Sequence, residues 1–159
     1  MDQDEFWMRE ALAQAQIAKS KDEVPIGAVV VYNNQIIGKG YNRREIDENA
    51  LAHAEMIAIS NACKKIGFWR LIDCDLFVTI EPCPMCAGAI INSRIRKVTF
   101  GASDPKAGAI ESLEHILDNE KFNHHVEYQG GVLEAECQQI IKDFFHEIRL
   151  RKKDEKNSL

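Results

Sequence analysis

Long apolar runs are missing from this chain of 159 residues. Crossing a bilayer as a helix takes about 20 consecutive apolar residues, and no stretch here approaches that, so no membrane partner is expected. The opening segment, MDQDEFWMRE, has neither the basic cluster nor the apolar stretch of an export signal, which makes a cytoplasmic location the expectation. Internal repeats, low-complexity tracts and linkers are also lacking, and the length suits a single domain over residues 1–159 with its own core. Positive charge is in deficit: 20 Lys and Arg against 25 Asp and Glu leave a formal net charge of -5. That argues against a protein that coats nucleic acid by neutralising phosphates over its whole surface, and leaves room for a local basic patch. The cysteines number five, an odd count in a chain without an export signal. A disulfide framework is therefore not expected, and any close pair reads first as metal ligands.

What is present is an alternation of helical and strand patterns. Asp4 to Lys19, with Phe6, Leu12, Ala15 and Ile17 among polar residues, predicts an amphipathic helix. Ile26 to Tyr32, the Asn33-Asn34 pair and Gln35 to Asn42 predict a β-hairpin. Ala52 to Lys65 reads as helix, Leu76 to Ile80 as strand, Cys83 to Ser93 as helix and Lys97 to Phe100 as strand. Ser112 to Asp118 fits a short helix and Val126 to Tyr128 a weak strand. In the last segment Cys137, Ile140, Ile141, Phe144, Phe145 and Ile148 make a helical stripe that should face the core. Helices alternating with strands after a hairpin predict an α/β/α layered domain with a mostly parallel sheet.

Two short motifs carry the chemistry. One is His53-Ala54-Glu55 and the other is Pro82-Cys83-Pro84-Met85-Cys86, each at the start of a predicted helix. Catalytic zinc takes three protein ligands and keeps a fourth position open, and His53, Cys83 and Cys86 supply three donors of suitable softness. Cysteines three apart in a first helical turn share one face, and the positive helix end favours the thiolates that the metal requires. Pro84 is tolerated in that turn because its missing N–H is not needed there. Glu55 is not required as a ligand beside two thiolates. It suits the transfer of a proton between activated water and substrate, so the pattern predicts hydrolytic removal of an amine from a nucleobase. A Cys-x-x-Cys pair also occurs in redox sites and in structural zinc sites. Nothing around this one resembles a thioredoxin unit, and a structural zinc closes with a fourth ligand. Cys63 and Cys74 could supply one by composition, but with Cys137 they read as buried thiols. His115, His124, His125 and His146 read as surface or capping residues.

With those motifs in view, the chain resembles the bacterial tRNA-specific adenosine deaminases of the cytidine deaminase-like superfamily. The resemblance runs nearly end to end, through Glu23-Val24-Pro25-Ile26-Gly27-Ala28, Tyr41-Asn42, Ala52-His53-Ala54-Glu55 and Trp69-Arg70-Leu71. It continues through Thr79-Ile80-Glu81-Pro82-Cys83, Met85-Cys86-Ala87-Gly88-Ala89-Ile90, Gly101 to Ala109, Phe122-Asn123-His124 and Phe144-Phe145. The zinc motif defines the superfamily, and the later segments are more specific to the tRNA enzymes. The resemblance implies a three-layer α/β/α sandwich around a five-stranded mixed sheet, one zinc ion per subunit and a homodimer with RNA contacts from both subunits. The substrate it implies is the wobble adenosine of a tRNA anticodon stem-loop, converted to inosine.

The same resemblance implies base contact by Asn42, next to the zinc, and a substrate-side place for Ala54. It implies contacts from Asp104, Lys106 and Asn123 to the anticodon backbone or neighbouring bases, and from Phe145 and Arg149 on the last helix. Phe145 also falls on the core stripe, which competes with that role. Arg149, Arg151, Lys152 and Lys153 cluster near the C-terminus of an otherwise acidic chain, and arginine can pair with phosphate and stack on bases. One departure is Pro84, where the tRNA enzymes often carry an aliphatic residue. Proline there is also seen in relatives that resemble guanine deaminases, and a free purine such as guanine is the alternative substrate.

Overall fold

A computed structural model describes residues 2–158 of the chain. The apolar run Gly27–Tyr32 forms β1, whose residues are buried through Val31. Ala28 and Val30 point into one core, and Val29 and Val31 into the other, the period-two alternation of a strand covered on both faces. Asn33 and Asn34 both take positive φ (50° and 60°), as a two-residue hairpin turn requires, and Gln35–Tyr41 returns as β2. The chain then forms α2 (Ala54–Ile66), β3 (Asp75–Ile80), α3 (Pro84–Asn92), β4 (Lys97–Ala102), β5 (Glu127–Gln129) and α4 (Glu134–Asn157), while Gln3–Ser20 precedes them all as α1.

The sheet has five strands in the order β2-β1-β3-β4-β5. It is mixed: β1 is antiparallel to both β2 and β3, while β3, β4 and β5 run parallel. Four strands share one direction, and the hairpin inserts β1 alone between β2 and β3 against the direction of both. Helices α2 and α3 cover one face with Ala28, Leu76, Val78 and Phe100 beneath them. Helices α1 and α4 cover the other, over Val29, Val31 and Phe77. The three-layer α/β/α arrangement with a five-stranded mixed sheet is thereby established.

Three local expectations are revised. The core side of α1 consists of Trp7, Met8, Ala11, Ala15 and Ala18, whereas Phe6 and Ile17 are exposed; small alanines, not the larger aliphatics, face the sheet. Ser112 to Asp118 winds into only one 3-10 turn, Ile116–Asp118. On α4, Cys137, Ile140 and Phe144 are buried, but Ile141 is only half-buried and Phe145 is 42% exposed. The stripe is two residues wide, and only one of its edges reaches the core.

The inserted β1 decides where the helices start. Because β1 opposes both neighbours, β2 and β3 point the same way, and β4 is parallel to β3. The segments leaving β2, β3 and β4 therefore emerge at one end of the sheet, the usual place for a ligand site in such folds. Helix α2 lies directly on β2: a Cβ at Gly40 would overlap the Ala54 carbonyl, and one at Gly38 the Ala58 carbonyl. Gly40→Ala is expected to lower stability by about 2 kcal/mol, the usual scale for overpacking, as read by thermal unfolding. An unchanged Tm would show that the seam can open without cost.

Candidate active site

Each metal-binding motif sits at a helix start. His53 is the N-cap of α2 and Cys83 the N-cap of α3, both with extended backbone, and Pro84 occupies the first turn of α3. Since both helices follow parallel strands on one face of the sheet, their N-termini meet. His53 Nδ1 lies 3.6 Å from Cys83 Sγ and 3.5 Å from Cys86 Sγ, and all three donor atoms fall within 4.8 Å of one another. Tetrahedral zinc, with its usual bonds to imidazole nitrogen and thiolate sulfur, separates such donors by about 3.5 Å. The group fits the ion. Neither Cys63 nor Cys74 joins it. Cys63 instead donates to the Trp69 carbonyl and Cys74 to that of Ile72.

The electrostatics suit a thiolate centre. Hydrogen bonding from the Cys86 thiol, together with the His53 imidazole and the Cys86 backbone N–H, pulls the Cys83 thiol down to about 4 despite burial. The Cys86 thiol is driven upward by its hydrogen bond to Cys83 and by burial. The pair thus shares one proton, which a metal would replace. Glu55 follows two residues after His53, buried in the first turn of α2. Burial pushes its carboxyl up to about 7.

These residues lie at one side of a cavity of about 520 Å³. Asn42, Ala54, Glu55, Asp104, Lys106 and Phe145 line it together with His53 and Cys83. Cys86 is fully buried and is not among the lining residues. The Asn42 side chain is fixed by donating to the Val24 carbonyl (3.2 Å) and accepting from the Arg44 N–H (3.1 Å). One amide hydrogen and one lone pair remain for a ligand. Asn123 and Arg149, both exposed, are not among the lining residues. Arg149 stands one helical turn beyond Phe145 on α4. Arg151 pairs with Asp22 at 3.1 Å, so the basic cluster at the C-terminus is partly spent in tying α4 to the end of α1.

Sequence reasoning missed several walls of this cavity. Arg44, Gln138, Ile141 and Lys142 all line it. The helical spacing 138, 141, 145 and 142, 149 carries a signal for the last three, since those positions share one side of α4. Lys142 brings a third cation to the rim beside Arg44 and Lys106.

Site and fold together define a zinc-type deaminase centre, and comparison with known proteins agrees. A family profile described as MafB19-like deaminase matches residues 1–149. The tRNA-specific adenosine deaminase of Bacillus subtilis (strain 168) is 50% identical over 159 residues, covering 100% of this chain and 99% of the relative. That of Haemophilus influenzae is 48% identical over 154 residues, covering 96% of this chain and 89% of the relative. A structure from studies of A-to-I editing by tRNA:A34 deaminases at the wobble position of transfer RNA superposes with a TM-score of 0.82 at 41% identity. It covers 85% of this chain and 98% of its own. A Bacillus subtilis guanine deaminase is more distant, with a TM-score of 0.63 at 32% identity over 80% of this chain and 83% of its own. The chain belongs to the MafB19-like deaminases and, within them, to the family of the tRNA-specific adenosine deaminases. Deaminases of this fold are zinc-dependent, and His53, Cys83 and Cys86 form a group able to hold the ion.

Since the group has only three protein donors, His53→Ala is expected to purify without stoichiometric zinc, as read by metal analysis. Full zinc content in that variant would show that the imidazole is dispensable to the site.

Proposed function

We propose that this protein deaminates the wobble adenosine of a tRNA anticodon loop to inosine, with His53, Cys83 and Cys86 as zinc ligands and Glu55 as the catalytic proton carrier. The observation that carries the proposal is the joining of two features. A buried glutamate stands beside a three-donor metal group, and the cavity they open into is rimmed by Arg44, Lys106 and Lys142. The cations suit the phosphates around an extruded base, and unpaired anticodon bases cost little to extrude.

When bound, zinc supplies an activated water at neutral pH. Glu55 takes a proton from the attacking water and delivers it to the purine ring nitrogen beside the amine-bearing carbon. It then takes the second proton from the hydroxyl now on that carbon and passes it to the departing amine as the C–N bond breaks, so that adenosine and water give inosine and ammonia. A carboxyl held near neutrality by burial can do both. Asn42 offers one donor and one acceptor to the base edge, and the backbone of Ala54 borders the base. Asp104, Lys106 and Phe145 meet the nucleotides around the target, with Arg149 and Asn123 reaching the flanking ones.

The enzyme is proposed to act in the cytoplasm, where tRNA is decoded, and as a homodimer. Phe68, Trp69 and Ile72 are each about half exposed, and Arg94, just past the C-cap of α3, lies over the Trp69 ring at 5.6 Å. The neighbouring α3 presents Gly88 with open space beside it. This apolar surface suits a second copy. Among the described residues, no helix is long and apolar enough to cross a membrane.

Holoenzyme incubated with an anticodon stem-loop carrying a wobble adenosine is expected to yield inosine at that position, read by sequencing. Efficient turnover of free guanine or adenine with no reaction on the stem-loop would overturn the assignment. Glu55→Ala should retain zinc and lose activity by a factor of about 10² or more, the usual share of a general acid–base. Trp69→Glu should shift the mass in light scattering from dimer to monomer, and an unchanged mass would rule out this surface as the contact.

A further inference from the structure

Two glutamates outside the metal centre are almost entirely buried: Glu23 is 1% exposed and Glu81 2%. Neither pairs with a cation. Each spends its oxygens on the backbone of a loop that borders the cavity, and the two loops stand on different strands' ends. Glu81 follows β3 and accepts from the N–H groups of Asp104 (3.0 Å), Ile110 (3.0 Å), Glu111 (2.8 Å) and Ser112 (3.0 Å), and from the Ser112 hydroxyl. The segment 103–112 is therefore wound about one carboxylate. Gly108 passes so close that a Cβ there would overlap the carboxyl group, so this winding depends on glycine. Asp104 continues the scaffold, its side chain accepting from the N–H groups of Lys106 and Ala107. The consequence is a fixed backbone position for Lys106 at the cavity rim.

Glu23 does the same for the opposite loop. Its two oxygens accept from the N–H groups of Glu45 (3.1 Å) and Ile46 (2.9 Å), directly after Arg44. The Arg44 N–H is itself held by Asn42. A flexible loop carrying a cation pays entropy each time it orders on a ligand. A buried carboxylate satisfied by several N–H donors orders the loop in advance, and is strong because the acceptor is ionised.

We propose that Glu23 and Glu81 are positioning residues for the RNA, each presetting through backbone hydrogen bonds one cation-bearing wall of the cavity, Arg44 by Glu23 and Lys106 by Glu81. Glu81 borders the cavity and Glu23 lies outside its lining, and both are assigned to act through the loops they hold. The inference rests on the proposed RNA substrate and assigns to these two residues the preorganisation of its binding surface.

The test is a set of double-mutant cycles with zinc-loaded protein, reading stem-loop affinity by fluorescence anisotropy and kcat separately. Lys106→Ala should weaken binding about tenfold in the wild-type background and less than about twofold beside Glu81→Gln, because the lysine is no longer held in place. Arg44→Ala should behave likewise with Glu23→Gln. The crossed pairs, Glu81 with Arg44 and Glu23 with Lys106, should be additive, and Glu23→Gln and Glu81→Gln should each weaken stem-loop affinity by a larger factor than they lower kcat at saturating RNA. Ser112→Ala removes a single donor to Glu81 and provides the milder cycle with Lys106 if Glu81→Gln fails to retain zinc. Additivity in the Glu81–Lys106 and Glu23–Arg44 cycles while wild type binds the stem-loop would overturn this inference and leave the proposed function standing. Wild-type protein that does not bind the stem-loop would remove both.

Discussion

The close seating of α2 on β2 is the constraint on which the rest of the site depends. Backbone meets backbone there, since Gly38 and Gly40 leave no side chain between strand and helix, and Ala54, Ala58 and Ala62 present the smallest possible surface in return. Dispersion over such a seam is large because no atom is wasted on a gap. Its more important effect is geometric. A helix that can settle at only one height carries its N-cap to one place, and His53 then meets two sulfurs held independently by α3. A metal site with three protein ligands has little slack, and here the slack is removed by packing rather than by the metal.

Glu55 and Glu81 show how the same side chain is turned to opposite ends. Both are buried, at 3% and 2% exposure. At Glu55 desolvation outweighs its own backbone N–H, the nearby His53 and the Cys86 thiol, and carries its carboxyl up to about 7. Burial acts on Glu81 in the same direction, but the Ser112 hydroxyl and the N–H groups of Glu111, Asp104 and Ser112 outweigh it and hold the carboxyl down to about 2. Counting donors around a buried carboxylate, rather than measuring its depth, separates a group that exchanges protons from one that anchors a loop.

Much of this was legible in the residue order, and what was not has a common cause. The metal group is readable because its ligands cluster in two short motifs whose spacing follows helical geometry. The hairpin and the helices are readable from local periodicity. The position of β1 between two strands that both oppose it is a nonlocal fact with no local signature, and it makes the β1–β3 pairing antiparallel. Phe145 looks like core because the apolar stripe of α4 is wide, and only the sheet beneath decides which edge is covered. Glu23 and Glu81 look like surface residues, since glutamate usually is one, and their donors lie 22 to 31 positions away in the chain. Lys142 sat in helical register with Phe145 and Arg149, but a lysine beside Asp143 in a helix of mixed charge draws no notice.

The seam glycines have an effect at the opposite side of their strand. β2 is an outer strand of the sheet, and such strands invite pairing with another chain. Gly38 and Gly40 weaken its tendency to stay extended, Lys39 stands between them, and the pairing with β1 is irregular at Val30/Val31. The other outer strand, β5, is only three residues long. Both borders of the sheet are thus poor templates for strand addition. The residues that let a helix in also work against growth of the sheet into a fibre.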